Sequence, residues 1–260
     1  MVADSGGYSP SAAKPSAALA SWQQLALPLN IRTVEPLTRE QIKLAHDARF
    51  VDDLLDGTIR NGHGNHSPAL AASLPFTSGS LLTAAREALA NGIGAVSPTS
   101  GFHHAGHARV GGFCSLNGLM IAALNMPGVR VGVLDFDQHY GDGTDDIIRL
   151  LDLNSRVVHR GHPGSGDAER WLRTIPGTLD AFNGCDVVLY QAGADPHIND
   201  PLGGWLTSDQ MRRRDRLVFA GLRERGVPVV WNLAGGYQKP FRNVLDLHDQ
   251  TMLECAAAWL

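Results

Sequence analysis

The feature that most constrains the fold is an alternation of short apolar runs with helical stretches. β-Branched apolar runs fall at residues 93–96, 129–134, 157–158, 187–190 and 227–233. Helical stretches lie between them at about 115–124, 143–151, 207–224 and 244–259. Strand followed by helix, repeated, is how a parallel sheet covers both of its faces. The pattern predicts an α/β fold, three-layer αβα, with a mostly parallel central sheet. The 29 glycines among 260 residues suit the many tight turns such a chain needs. Upstream, apolar spacing from Leu37 to Leu55 predicts one helix closed by Gly57, and a second helix runs from about 80 to 90. Residues 1–18, small, polar and proline-punctuated, read as a flexible arm. No composition change follows, so residues 19–260 read as a single domain.

Several classes are excluded early. Lys plus Arg number 22 against 26 Asp plus Glu, a net charge of −4, which gives no bulk attraction to nucleic acid. The three cysteines, Cys114, Cys185 and Cys255, are isolated and lack CxxC spacing, so neither a disulfide scaffold nor a cysteine zinc knuckle is expected. No apolar run approaches the ~20 residues of a bilayer span, and no secretory leader pattern opens the chain. The expectation is a cytoplasmic protein without a membrane partner.

In an open parallel sheet, ligands bind beyond the carboxyl ends of the strands. The unusual residues cluster there: His103-His104 after the first strand, Asp135, Asp137 and His139 at the end of the second, Asp195 after the fourth, and Tyr237 after the fifth. Two carboxylates and an imidazole suit Zn²⁺ or Fe²⁺, and Asp195 is the expected third ligand, with His197 a competitor. A neutral imidazole from the His103-His104 pair is a natural general base and needs an orienting carboxylate, for which Asp135 and Asp142 are available. Tyr237, after Gly235-Gly236, is placed to donate its phenol to a developing oxyanion. Taken alone, the Asp-Gly turn at 142–143 and the Asp195-Pro196 turn are ordinary features; they gain meaning by ending on one rim.

The segments GFHHAxxxxxGGFCxLN (101–117), DFDxHxGDGT (135–144), HPGSGD (162–167), QAGAD…DPLG (191–203) and AGGY (234–237) together resemble the zinc-dependent histone deacetylases of the arginase/deacetylase superfamily, which includes acetylpolyamine amidohydrolases. The resemblance runs from about residue 77 to residue 237, and more weakly back through Ser9-Pro-Ser…Lys14-Pro and the helix over 46–55. It implies a catalytic domain in which Asp137, His139 and Asp195 bind the metal. His104 paired to Asp142 would be the general acid/base, His103 paired to Asp135 would tune the site, and Tyr237 would hold the substrate carbonyl. Gly112 and Phe113 would line a substrate tunnel, with His162 at the second wall, where the family usually has an aromatic. The resemblance also implies a structural monovalent cation near Asp135, held by backbone carbonyls. The implied substrate is an acylated lysine peptide or an acylated polyamine.

Departures accompany it. The stretch from Gly166 to Cys185 is short, a first strand is missing, and no arginine stands near Lys14-Pro15, where some members have one. A two-manganese ureohydrolase would need a second carboxylate where Asp195-Pro-His stands. A non-catalytic acyl-lysine binder remains an alternative, to be separated from an enzyme by turnover.

Overall fold

The computed structural model describes residues 5–162 and 164–260. Five strands, β1 (Ala95–Ser97), β2 (Val131–Asp135), β3 (Val157–Gly161), β4 (Val187–Gln191) and β5 (Val229–Asn232), form one sheet in the order β1-β5-β4-β2-β3. All four strand pairings are parallel. The sheet is buried on both sides because its side chains alternate. Val131, Val133, Val187, Leu189 and Val230 face one core, while Leu134, Val188, Tyr190, Val229 and Trp231 face the other.

Helices α2 (Arg39–Lys43), α3 (Ala48–Leu55), α4 (Pro68–Asn91), α5 (Gly118–Leu124) and α6 (Asp142–Leu150) cover the first face. The second face is covered by α1 (Lys14–Trp22), α7 (Ala168–Leu179), α8 (Ser208–Glu224) and α9 (Arg242–Trp259). This is the expected three-layer α/β architecture. The chain leaves β2 for β3 on one side and returns to β4 on the other. The gap between β2 and β4 is therefore the topological switch point, where open α/β sheets bind ligands.

Three local expectations are corrected. The flexible arm expected over residues 1–18 does not hold for its described part: Ser5 and Ser9 are buried, and Ser5 Oγ donates to Ser9 O at 2.6 Å. From Lys14 onward the chain is α1, with Ala18 and Trp22 in the core and Trp22 packed on Trp231 at 5.3 Å between rings; residues 1–4 lie outside those described. The single helix over 37–55 is two. Thr38 caps α2 with a capping box and Asp47 caps α3, and between them His46 turns inward, its Nδ1 bonded to Gly106 O at 2.9 Å and its Nε2 accepting from Asn117 N at 2.9 Å. Finally, α4 begins at Pro68 behind the Ser67 cap, well before residue 80; it accommodates Pro75, whose carbonyl accepts from Leu37 N at 3.2 Å. The short stretch from Gly166 to Cys185 retains α7, the crossover helix that a parallel β3-to-β4 connection requires.

Candidate metal centre

The second and fourth strands each lead directly into an acidic loop at the switch point. Asp137 and His139 follow β2, Asp195 follows β4, and the two strands are hydrogen-bonded neighbours. One ligand atom from each of the three lies within 4.8 Å of the others. His139 Nδ1 is 3.1 Å from Asp195 Oδ2 and 3.4 Å from Asp137 Oδ1. Its Nε2 faces Leu202 O at 3.1 Å. With Nε2–H donating to that carbonyl, Nδ1 donates to the carboxylates while the ring is cationic and would offer its lone pair to a metal once that proton is lost, the tautomer a metal-ligating histidine adopts. Asp135, though two residues from Asp137, stays out of the cluster and turns to His103.

The charges of this cluster are unbalanced without a cation. Burial, with the Asp137 charge added to it, pushes the Asp195 carboxyl up to about 7. Burial also opposes ionisation of Asp137, but the His103 charge and the hydrogen bonds from His139 overcome it and hold Asp137 well below the usual carboxylate range. Hydrogen bonds to Asp137 and Asp195 raise His139 to about 10. Buried carboxylates converging on one imidazole are stabilised by a dication, and the donor set fits Zn²⁺ or Fe²⁺.

The glycine loop after β5 makes this approach possible. Gly235 N–H donates to Asp137 Oδ2 at 2.7 Å, and a Cβ at Gly235 would lie 2.2 Å from Asp195 Oδ2. Two groups missed from the sequence pin the same loop. Lys14 is fully buried; its Nζ donates to Ala234 O at 2.7 Å and Gly235 O at 2.9 Å. Burial brings its ammonium down to about 8, against the opposing pull of Asp195, Asp137 and Asp200. Asp200 Oδ2 accepts from Tyr237 N at 2.7 Å. The signals were faint: Lys14 stood in a polar N-terminal stretch, and Asp200 was one letter of the DPLG motif.

His103 and His104 lie beside the cluster, in the loop between β1 and α5. His103 Nδ1 donates to Asp135 Oδ2 at 2.8 Å, and His104 Nδ1 donates to Asp142 Oδ1 at 2.6 Å. Burial alone would depress His103, but Asp135 and Asp137 raise it to about 9. His104 goes the other way: burial and the neighbouring His103 charge lower it, against the pull of Asp142. Gly112, at φ +46°, packs against the His104 ring, and a Cβ there would fall 2.3 Å from Cδ2.

Phe113 and Tyr237 face each other with ring centroids 5.7 Å apart; His63 lies 5.8 Å from Phe113, and Tyr8 is stacked on Tyr237 at 6.2 Å. Burial and the charges of Asp137 and Asp195 push the Tyr237 phenol far above its usual value, so it is a donor. His162 is a correction. Expected as a tunnel wall, it turns its ring among Phe136, Trp171 and Trp205, and its Nε2 bonds the backbone carbonyl of Asp137. His197 stays outside the ligand cluster, with Nε2 at 3.0 Å from Ser208 Oγ.

Residues 10–168 match the model of the histone deacetylase domain, more than half of the chain. The chain belongs to the histone deacetylase family. An uncharacterised protein of Picosynechococcus sp. is 29% identical over 240 residues, covering 81% of this chain and 79% of that one. Histone deacetylase 2 of Arabidopsis thaliana is 28% identical over 178 residues, and the match spans 58% of this chain but only 46% of that protein. Among solved structures, an acetylpolyamine aminohydrolase from Burkholderia pseudomallei superposes with a TM-score of 0.76 at 18% identity, over 94% of this chain and 90% of the other. That likeness establishes a shared fold. Family membership supports a deacetylase or amidohydrolase activity for this chain, and no helix among the described residues is long and apolar enough to cross a membrane.

Proposed function

We propose that the protein is a metal-dependent deacylase that hydrolyses the amide of acetyl-lysine, or of another acylated primary amine, to a free amine and a carboxylate. The observation that carries this reading is the meeting of Asp137, His139 and Asp195 within 4.8 Å, beside a histidine whose protonation is disfavoured. Asp137 Oδ, His139 Nδ1 and Asp195 Oδ would hold the ion, and three protein ligands leave positions for water and substrate. Zn²⁺ or Fe²⁺ bound there supplies Lewis acidity toward the acyl carbonyl and an acidified water.

The chain's own residues do the rest. His104 keeps its Nδ1–H on Asp142, so Nε2 is free to take a proton from water and to return it to the leaving amine. His103, kept cationic by Asp135, biases His104 toward the neutral form a base requires. Tyr237 donates its phenol to the oxygen that becomes negative, a contribution typically worth ~3–4 kcal/mol. Phe113 opposite Tyr237 gives the acyl-lysine stem an apolar contact, and Gly112 lets it pass close to His104.

An acyl-lysine and an acylated polyamine both present the acylated primary amine this reading requires, and turnover separates them. The test is hydrolysis of a fluorogenic acetyl-lysine peptide and of acetylated polyamines by metal-reconstituted protein, with and without chelator. Turnover that is abolished by chelator and restored by Zn²⁺ or Fe²⁺ is the expected result. Stoichiometric metal with no turnover on any acylated amine would overturn the reading in favour of an acyl-lysine binder.

A further inference from the structure

Family resemblance leads one to expect a monovalent cation beside Asp135, held by backbone carbonyls of the segment that carries the metal ligands. The residues present do not fit it. Such an ion is hard and takes oxygen ligands, and here both carboxylate oxygens of Asp135 and the carbonyl of Asp137 already accept hydrogen bonds from the protein. Asp135 Oδ2 accepts from His103 Nδ1 at 2.8 Å and Oδ1 accepts from Asp137 N at 3.2 Å. The carbonyl of Asp137 accepts from His162 Nε2. His162 Nδ1 in turn accepts from Gly164 N at 2.7 Å, which fixes the ring as the neutral Nε2–H tautomer. Gln138 Nε2 closes the loop by donating to Gly164 O at 2.6 Å, while Gln138 N donates to Asp195 Oδ1 at 3.1 Å.

The other side of Asp135 is filled as well. His159, from β3, is buried, with 6% of its side chain exposed. Its Nδ1 donates to Asp145 Oδ1 at 2.6 Å, and its Nε2 lies 4.0 Å from Asp135 Oδ2 with no hydrogen-bond partner. The register sets this position, since His159 is opposite Val133, two residues before Asp135 on the adjoining strand. A ring nitrogen at that place is a poor ligand for a hard monovalent ion.

We propose that His159 and His162 take the place of a monovalent cation, bracing the segment from Asp135 to His139 so that the protein holds its metal-ligand set without K⁺ or Na⁺. His162 is a positioning residue. It fixes the Asp137 peptide, and through it the Asp137 carboxylate, by a hydrogen bond an ion would otherwise supply. His159 closes the remaining space from β3. The proposal rests on the reading that Asp137, His139 and Asp195 bind a divalent ion, but its test can fail separately.

The experiment measures two quantities in KCl, NaCl and choline chloride at equal ionic strength: the melting temperature, and Zn²⁺ affinity by competition with a chromophoric chelator. The melting temperature is expected to be the same in all three salts, and the affinity to agree within about twofold, a difference of ~0.4 kcal/mol. A saturable rise in either with K⁺ or Na⁺ over choline overturns the proposal. His162→Phe keeps an aromatic ring among Phe136, Trp171 and Trp205 but removes the donor. It is expected to weaken Zn²⁺ binding by ~10–100-fold in every salt, and His162→Gln, which retains a terminal N–H, is expected to recover most of the loss. Wild-type affinity in His162→Phe overturns the bracing role. The salt series on the unmodified protein decides the cation claim whether or not the variants fold. If the unmodified protein takes up no Zn²⁺ in any salt, the metal reading fails, and the melting temperatures still decide the question of the monovalent ion.

Discussion

His103 and His104 have ring centroids 4.1 Å apart, and each is bonded through Nδ1 to its own carboxylate, Asp135 for the first and Asp142 for the second. The two carboxylates are not equivalent. Asp135 is buried and serves His103 directly, while Asp142 is half-exposed and shared with Arg109 at 2.6 Å. The fold thus favours a charged imidazole beside a neutral one, and in the proposed reaction this would divide electrostatic support and proton transfer between neighbours in the sequence.

This pairing makes a pH prediction. As the proposed base His104 would work only when neutral, so the rate is expected to fall on the acid side as pH drops through its pKa, which burial and the His103 charge have lowered. Activity is therefore expected to persist below the ordinary imidazole range near ~6.5. His103→Asn removes the neighbouring cation and should move the acid limb of the kcat/KM profile upward. An unmoved limb would remove His103 from the control of His104.

Tyr237→Phe deletes the donor while keeping a ring stacked on Tyr8 and tilted against Phe113. The expected loss is ~10²–10³ in kcat. Metal content, measured by elemental analysis, should match the unmodified protein, because Tyr237 is not a ligand. Turnover at the unmodified rate would exclude the phenol from the reaction.

Gly235→Ala places a methyl group 2.2 Å from Asp195 Oδ2 and 2.3 Å from Cγ, a distance that atoms do not tolerate. Either the carboxylate or the loop must move. The expected outcome is loss of stoichiometric metal binding in a folded protein, read by metal titration and circular dichroism together.

The metal-free protein should show the strain of its own ligands. Asp195 is raised from its ordinary range to about 7 in the fold by burial first and the Asp137 charge second. A carboxyl with a raised folded pKa binds more protons in the native than in the unfolded state across that window. Its contribution to stability is therefore lost as pH rises from ~4 toward 7. Compared with Asp195→Asn, the metal-free protein should lose melting temperature over this interval. Saturating Zn²⁺ should raise the melting temperature of the unmodified protein, at 100 times Kd by the equivalent of ~2.7 kcal/mol, and leave the variant nearly unmoved.

Much of this was legible in the sequence. The alternating strand and helix pattern gave the sheet and its two covered faces, because burial on both faces leaves a period a reader can see. The grouping of candidate site residues was legible where it lay within one short segment: Asp137 with His139, His103 with His104, Gly235-Gly236 with Tyr237. Elements were misjudged where a side chain from elsewhere decided them. The helix over 37–55 is broken because His46 bonds Gly106 and Asn117 across the chain, and α1 forms because Trp22 finds Trp231.

The sequence by itself determined the residue types and their placement at strand ends, because strand alternation and loop position are local properties. Only the tertiary structure decided that His162 turns to the Asp137 carbonyl, that His159 Nε2 comes within 4.0 Å of Asp135, and that Lys14 holds the Ala234-Gly235 carbonyls from 220 residues away. Hydrogen bonds and burial between distant segments exist only once the sheet has brought β2, β3, β4 and β5 side by side, and no spacing along the chain encodes them.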